Sequence, residues 1–138
     1  MTRDAPATGG DGMNDPEVIM PSALPSSHLV AHRKALAAAG IAIQLVKGVP
    51  TPLRSLADQV IRSASSVPAN LAEGHGRFGK DRAYHWSVAY GSAKEVDSHL
   101  RRLAEAEAID RDRAAVVLRL FDEVRAMTWR LLHPRRGL

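Results

Sequence analysis

The sequence predicts an all-α protein folded as one antiparallel up-down four-helix bundle. Three observations carry that expectation. Apolar residues recur at spacings of three and four in four successive stretches, the period of a helix with one buried face. Pro, Gly and Asp residues separate the stretches. No stretch alternates with the two-residue period of a half-buried strand. Four amphipathic helices joined by short links pack antiparallel. The 138 residues suit one domain. Its expected limits are 28–133, between a disordered segment at 1–27 and a short basic tail at 134–138.

The first segment carries Pro6, Pro16, Pro21 and Pro25 among Gly9, Gly10 and Gly12. Little in it repays the entropy of ordering. Met13 and Met20 offer alternative start positions. The first helix is expected from Ser27 or His28 to about Lys47, with Leu29, Leu36, Ala39, Ile43 and Val46 on its apolar stripe. Gly48, Pro50 and Pro52 end it and open the next. The second helix begins near Leu53 and buries Leu56, Val60, Ala64, Val67 and Leu71. Pro68 lacks an amide hydrogen and clashes one turn back, so this helix is expected to kink or restart there. Gly74 and Gly76 are expected to end it.

The third helix is the longest, from about Lys80 to Ala108. Trp86, Ala89, Ala93, Val96, Leu100 and Leu103 form its seam. Gly91 interrupts it, and close approach of another helix would give that glycine a reason. Asp110 caps a fourth helix whose seam is Ala114, Val117, Phe121, Val124, Thr128 and Leu131, and Pro134 stops it.

Composition narrows the function. Aromatic residues are 4% of the chain, so a core drawn from its 45% hydrophobic residues is mostly Leu, Val, Ile and Ala. There is no cysteine, which excludes disulfides, thiolate nucleophiles and Cys-based zinc sites. No apolar run approaches the roughly 20 residues of a membrane span. Arg3 is followed by Asp, Pro and Gly residues rather than by an apolar signal sequence. The expectation is a soluble cytoplasmic protein with no membrane partner. His28 and His32 lie four apart, yet neither HExxH nor the repeated ExxH units of di-metal bundles occur. No serine sits in an elbow or triad context. The expectation is therefore no enzyme, no cofactor and no metal.

The most unusual stretch is RSASSVPANLAEGHGRFG, from Arg62 to Gly79. Gln59, Arg62, Ser66, Asn70, Glu73 and Arg77 share one polar helical face. Gly91, Glu95, Ser98 and Arg102 draw a comparable line on the third helix. These residues form either a surface site or a polar subunit contact. Structurally, Ser65, Ser66 and Asn70 can satisfy backbone groups freed at Pro68, while Glu73 and Glu95 can form ion pairs.

Two pieces, QVIRSASSVPANLAEGHGR and AYGSAKEVDSHL, resemble the signature of the four-helix bundle proteins encoded within bacterial 23S ribosomal RNA intervening sequences, the S23 family. The matching positions are Arg62, Ser66, Pro68, Asn70, Glu73, Gly74 and Arg77, then Gly91, Ser92 and Glu95. The accessory variability proteins of diversity-generating retroelements are similar to this family. The resemblance implies a homopentameric barrel of bundles that binds nucleic acid and a reverse transcriptase. The chain departs from the family pattern in its alanine-rich first helix and in Tyr84, His85 and Trp86.

The net charge of +4 permits an anionic partner without requiring one. The expected phosphate contacts are Arg77, Lys80 and Arg82 in the central loop, with Arg101 and Arg102 further along. The first reading is an oligomer that binds RNA or DNA through these basic patches. The alternative is a structural or protein-interaction module in which the polar stripe builds the subunit contact.

Overall fold

The computed structural model describes residues 27–135. Its helices are α1 Ser27–Val46, α2 Arg54–His75, α3 Gly79–Glu105 and α4 Arg111–Leu132, with one 3-10 turn at Thr51–Leu53. There is no strand among the described residues. α1 lies beside α2 and α4, and α3 also lies beside α2 and α4. Each helix thus packs against its chain neighbours around one core, the up-down arrangement expected. The expected disordered segment lies outside the described residues except for Ser27, which already belongs to the first turn of α1.

The seams of α3 and α4 bury as their spacing predicts, except that Leu131 at the end of α4 is only half-buried. Trp86, Ala89, Ala93, Val96, Leu100 and Leu103 face inward, opposite Ala114, Val117, Phe121, Val124 and Thr128. Asp110 caps α4 by accepting from the Arg113 amide at 2.8 Å. Buried Thr128 donates its hydroxyl to the Val124 carbonyl at 2.8 Å, so the core gains no unpaired polar group.

α1 buries Ala39 and Val46 of the expected stripe, but its buried face is centred away from Leu29 and Leu36. Its core residues are Ala31, Ala35, Ala38, Ala39, Ala42, Leu45 and Val46, while Leu29 and Leu36 are 45% and 53% exposed. The helix is apolar on two sides, so periodicity alone does not choose between them. Alanine faces α2 and α4 because small side chains allow close packing.

Three further expectations change. Of the two outcomes expected at Pro68, a kink or a restart, the restart does not occur. α2 runs unbroken from Arg54 to His75 with Pro68 buried inside it. Core residues Val60, Ala64, Val67 and Leu71 anchor both sides of the proline, and this packing offsets the roughly 3 kcal/mol of an interior proline. Gly74 does not end α2 but lies buried within it, and the helix is closed instead by Gly76. Gly91 is not approached by another helix of the bundle, since it is exposed and a Cβ built there meets no atom within 4 Å.

α1 has the length and apolarity of a membrane span. That length reading differs from the count of uninterrupted apolar residues, because Arg33 and Lys34 fall within the helix. Its alanine face is packed into the bundle.

Candidate functional site

The polar stripe of α2 meets α3 in a hydrogen-bonded seam. Ser92 donates to the Ser66 hydroxyl at 2.8 Å. Asn70 donates to both the Ser66 carbonyl, at 3.0 Å, and its hydroxyl, at 3.1 Å. With its nitrogen committed to Ser66, Asn70 turns Oδ1 to His85 Nδ1 at 3.0 Å, so that ring nitrogen is the donor. One turn earlier, Ser63 donates to Glu95 at 3.3 Å. Ser66, Asn70 and Glu95 therefore join the two helices directly. Asn70 reaches the carbonyl of Ser66 rather than that of Ala64, the group left without a donor by Pro68. Arg62, Gln59, Ser98 and His99 complete a cleft of about 420 Å³ over this seam. Burial and the nearby Arg102 hold the His99 pKa below its ordinary value. Gly91 lies outside both seam and cleft.

The basic candidates do not form one patch. Lys80 and Arg101 lie on the same helix, and a rise of about 1.5 Å per residue puts them roughly 30 Å apart. Arg77 pairs with Glu73 at 2.7 Å and approaches Asp81 at 3.6 Å. The hydrogen bond and charge of Arg77 hold the Glu73 carboxyl below the usual carboxylate range. Arg101 pairs with Asp97 at 2.6 Å, and Arg102 meets His99 Nδ1 at 2.7 Å. Lys80 is exposed at the start of α3.

Arg82 has another task. Its Nε donates to the Gly74 carbonyl at 3.0 Å and Nη2 to the His75 carbonyl at 3.1 Å. These are carbonyls at the end of α2, where a cation also complements the helix dipole. The guanidinium lies 5.8 Å from the Phe78 ring centroid and 5.2 Å from that of Trp86. Arg82 is thus a helix cap as much as a surface cation.

Topology gathers a feature that sequence reasoning missed. The start of α1, the end of α2, the start of α3 and the end of α4 share one end of the bundle. His28 stacks on His75 at 4.1 Å, with Trp86 at 6.4 Å beyond. Tyr84 meets His85 edge-on at 5.2 Å, and Trp129 stacks on His133 at 4.1 Å. Phe78, Tyr84 and Trp129 are exposed, Phe78 at 82%. Burial, then the charges of His75 and Arg82, lower the His28 pKa. A cavity of about 770 Å³ opens here between Val30, Trp86, Met127, Trp129 and Leu131. The signal was present as position, because these rings all fall near helix termini that an up-down bundle brings together. Among the described residues no group of three or more His, Asp or Glu is placed to hold a metal ion.

Fold and seam define a small four-helix bundle whose α2 and α3 are tied by a Ser, Asn, His and Glu network. The chain matches the 23S rRNA-intervening sequence protein family over residues 27–130, and it belongs to that family. A solved protein of unknown function from the S23 ribosomal protein family of Bacteroides thetaiotaomicron VPI-5482 has a similar fold. It aligns with a TM-score of 0.72 at 21% identity, covering 78% of this chain and 99% of that one. No curated protein matches the chain.

Proposed function

We propose that this protein is a non-enzymatic helical bundle that self-associates, as a homopentamer, and binds RNA or DNA through its basic surface. The observation that carries the reading is the unequal charge of the two bundle ends. The α2–α3 end comprises the terminal turns there, the 76–78 link and the residues following α4. It presents Arg77, Lys80, Arg82, Arg130 and Arg135 against only Glu73 and Asp81. The matching turns and links at the other end present Lys47, Arg54, Arg102, Arg111 and Arg113 against Glu105, Glu107, Asp110 and Asp112. Phosphate is drawn to the first end, and ring assembly multiplies that field. Arg101 and Arg102, near the more balanced end, contribute less.

A second reading, a protein-interaction module without nucleic acid, is favoured by the apolar outer face of α1. Leu29 and Leu36, seven residues apart, are exposed there, and Leu36 lines a shallow groove with Gly40, Pro68 and Ala69. The two readings separate by titration of the full chain with structured RNA and single-stranded DNA at low and moderate salt. Salt-sensitive binding, weakened when Arg77 and Lys80 are both replaced by Gln, supports the first. Absence of binding by folded protein at both salt levels leaves only the second. Mass in solution tests the assembly, and a strict monomer removes the ring.

A further inference from the structure

We propose that the α2–α3 end of the bundle is a stacking site for unpaired bases, so that the protein prefers single-stranded RNA or DNA to duplex. The proposal rests on the nucleic-acid reading above and assigns the chemistry of its contact surface.

Phe78 and Tyr84 carry the argument. Phe78 occupies the link between α2 and α3 with 82% of its surface in water, and Tyr84 follows on α3 at 64%. Neither ring fills the core. The aromatic side chains that do so, Trp86 and Phe121, are almost wholly buried. Gly79 takes the left-handed conformation, φ 55°, which lets α3 start abruptly after Phe78. Trp129, stacked on His133 and 47% exposed, places a further ring at the same end of the bundle, on α4. The opposite end of the bundle has no exposed aromatic residue among the described residues.

Cations alternate with these rings. Arg77, Phe78, Lys80, Arg82 and Tyr84 fall within residues 77–84. Lys80 and Tyr84 are four apart on α3 and share one face of it, while Phe78, just ahead of α3, lies 5.8 Å from the Arg82 guanidinium on a different side, so the two ring–cation pairs flank the start of α3. An exposed ring offers its face to any base, whereas a duplex hides base faces within its stack. Lys80 and Arg77 are placed to meet the phosphates between stacked bases. Within residues 77–84 neither guanidinium is a free fork toward base edges, because Arg77 is paired with Glu73 and Arg82 caps α2. The expected preference is for strandedness rather than sequence.

The test uses the full-length protein and fluorescence anisotropy with labelled oligo(U) RNA, oligo(dT) DNA and a mixed-sequence duplex, each of ~20 nucleotides or base pairs. Both single strands should bind roughly tenfold or more tighter than the duplex. Phe78→Ala with Tyr84→Ala should weaken single-strand binding by roughly tenfold to a hundredfold while leaving the salt slope unchanged. Helicity and Tm should hold, because both rings are exposed, and Phe78→Trp should retain binding. Replacing Arg77 and Lys80 by Gln should instead lower the salt slope, by roughly 0.7 per lost phosphate contact. Equal affinity for duplex, or an aromatic double variant that binds like the parent, overturns the stacking site and leaves nucleic-acid binding standing. Loss of all nucleic-acid binding in the folded parent overturns both. A change in oligomer mass in the double variant, with nucleic-acid affinity unchanged, assigns the rings to a second copy of this chain and also overturns the proposal.

Discussion

The indole nitrogen of Trp86 donates to the Leu71 carbonyl at 3.2 Å, and the same ring lies across Gly74. A Cβ on Gly74 would stand 2.5 Å from two indole atoms and 3.2 Å from the Arg82 carbonyl. The indole is buried and held by its hydrogen bond, so it cannot swing away as a flexible side-chain end would. Gly74→Ala should therefore destabilise the protein by about 1–3 kcal/mol, the range of overpacking, despite alanine's higher helix propensity. Urea denaturation followed by helical circular dichroism measures this. A variant as stable as the parent would show that α2 and α3 are not packed this tightly.

The same substitution on α3 should have the opposite sign. Gly91 is exposed within the helix, and its missing Cβ would meet no atom within 4 Å. Gly91→Ala then gains only the propensity difference and should stabilise the isolated chain by up to about 1 kcal/mol. The same denaturation measurement checks it. A loss of stability that depends on protein concentration would instead place Gly91 in a subunit contact.

These two glycines show what could be read from sequence and what could not. Helical spacing picked out the α3 seam from Trp86 to Leu103, because those positions have one apolar face and a polar back. It could not choose the buried side of α1, where Leu29 and Leu36 compete with five alanines. Nor could it distinguish Gly74 from Gly91. Their roles depend on what the neighbouring helix brings, an indole in one case and open space in the other. At the site, Ser66, Asn70 and Glu95 were legible as a polar face, since spacing alone puts them on facing helices. Their partners Ser92, His85 and Ser63 are set by the register of α2 against α3, which the local pattern does not encode. The grouping of rings at one end became visible only once the topology was known.

Arg82 separates capping from phosphate binding. Its two hydrogen bonds to the Gly74 and His75 carbonyls are charge-assisted and close the end of α2. Arg82→Ala should cost about 1–3 kcal/mol of stability, and Arg82→Lys should recover only part, because an ammonium cannot reproduce the planar fork. Lys80→Ala, at an exposed position, should leave Tm within about 1–2 °C of the parent. Thermal melts of the three variants check this. Equal melting temperatures for all three would remove Arg82 from the cap.

Stability should fall on the acid side of neutrality, and His28 should contribute to the slope. The His28–His75 stack lies beside Arg82, and burial with these charges lowers the His28 pKa. Its Nε2 is buried without a hydrogen-bond partner among the described residues, so protonation would place an unsatisfied N–H there. Across the adjoining cavity, α4 brings Arg130 and His133, with Arg135 beyond it, and no carboxylate that would favour a charged ring. The unfolded chain therefore binds a proton at this site more readily than the folded one. The stabilising contribution is complete above the unfolded pKa of about 6.5 and is lost as pH falls toward the lowered folded value. His99, lowered by burial and Arg102, acts in the same direction. Glu73 also has a lowered pKa, but as a carboxylate it titrates in a more acid window. Melting temperatures at intervals from pH 7.5 to about 5 should decline. His28→Gln should flatten that decline, and His28→Gln with His99→Gln should flatten it further. A His28→Gln variant whose profile parallels the parent's would show that His28 takes up its proton equally in the folded and unfolded states and overturn its part in the slope.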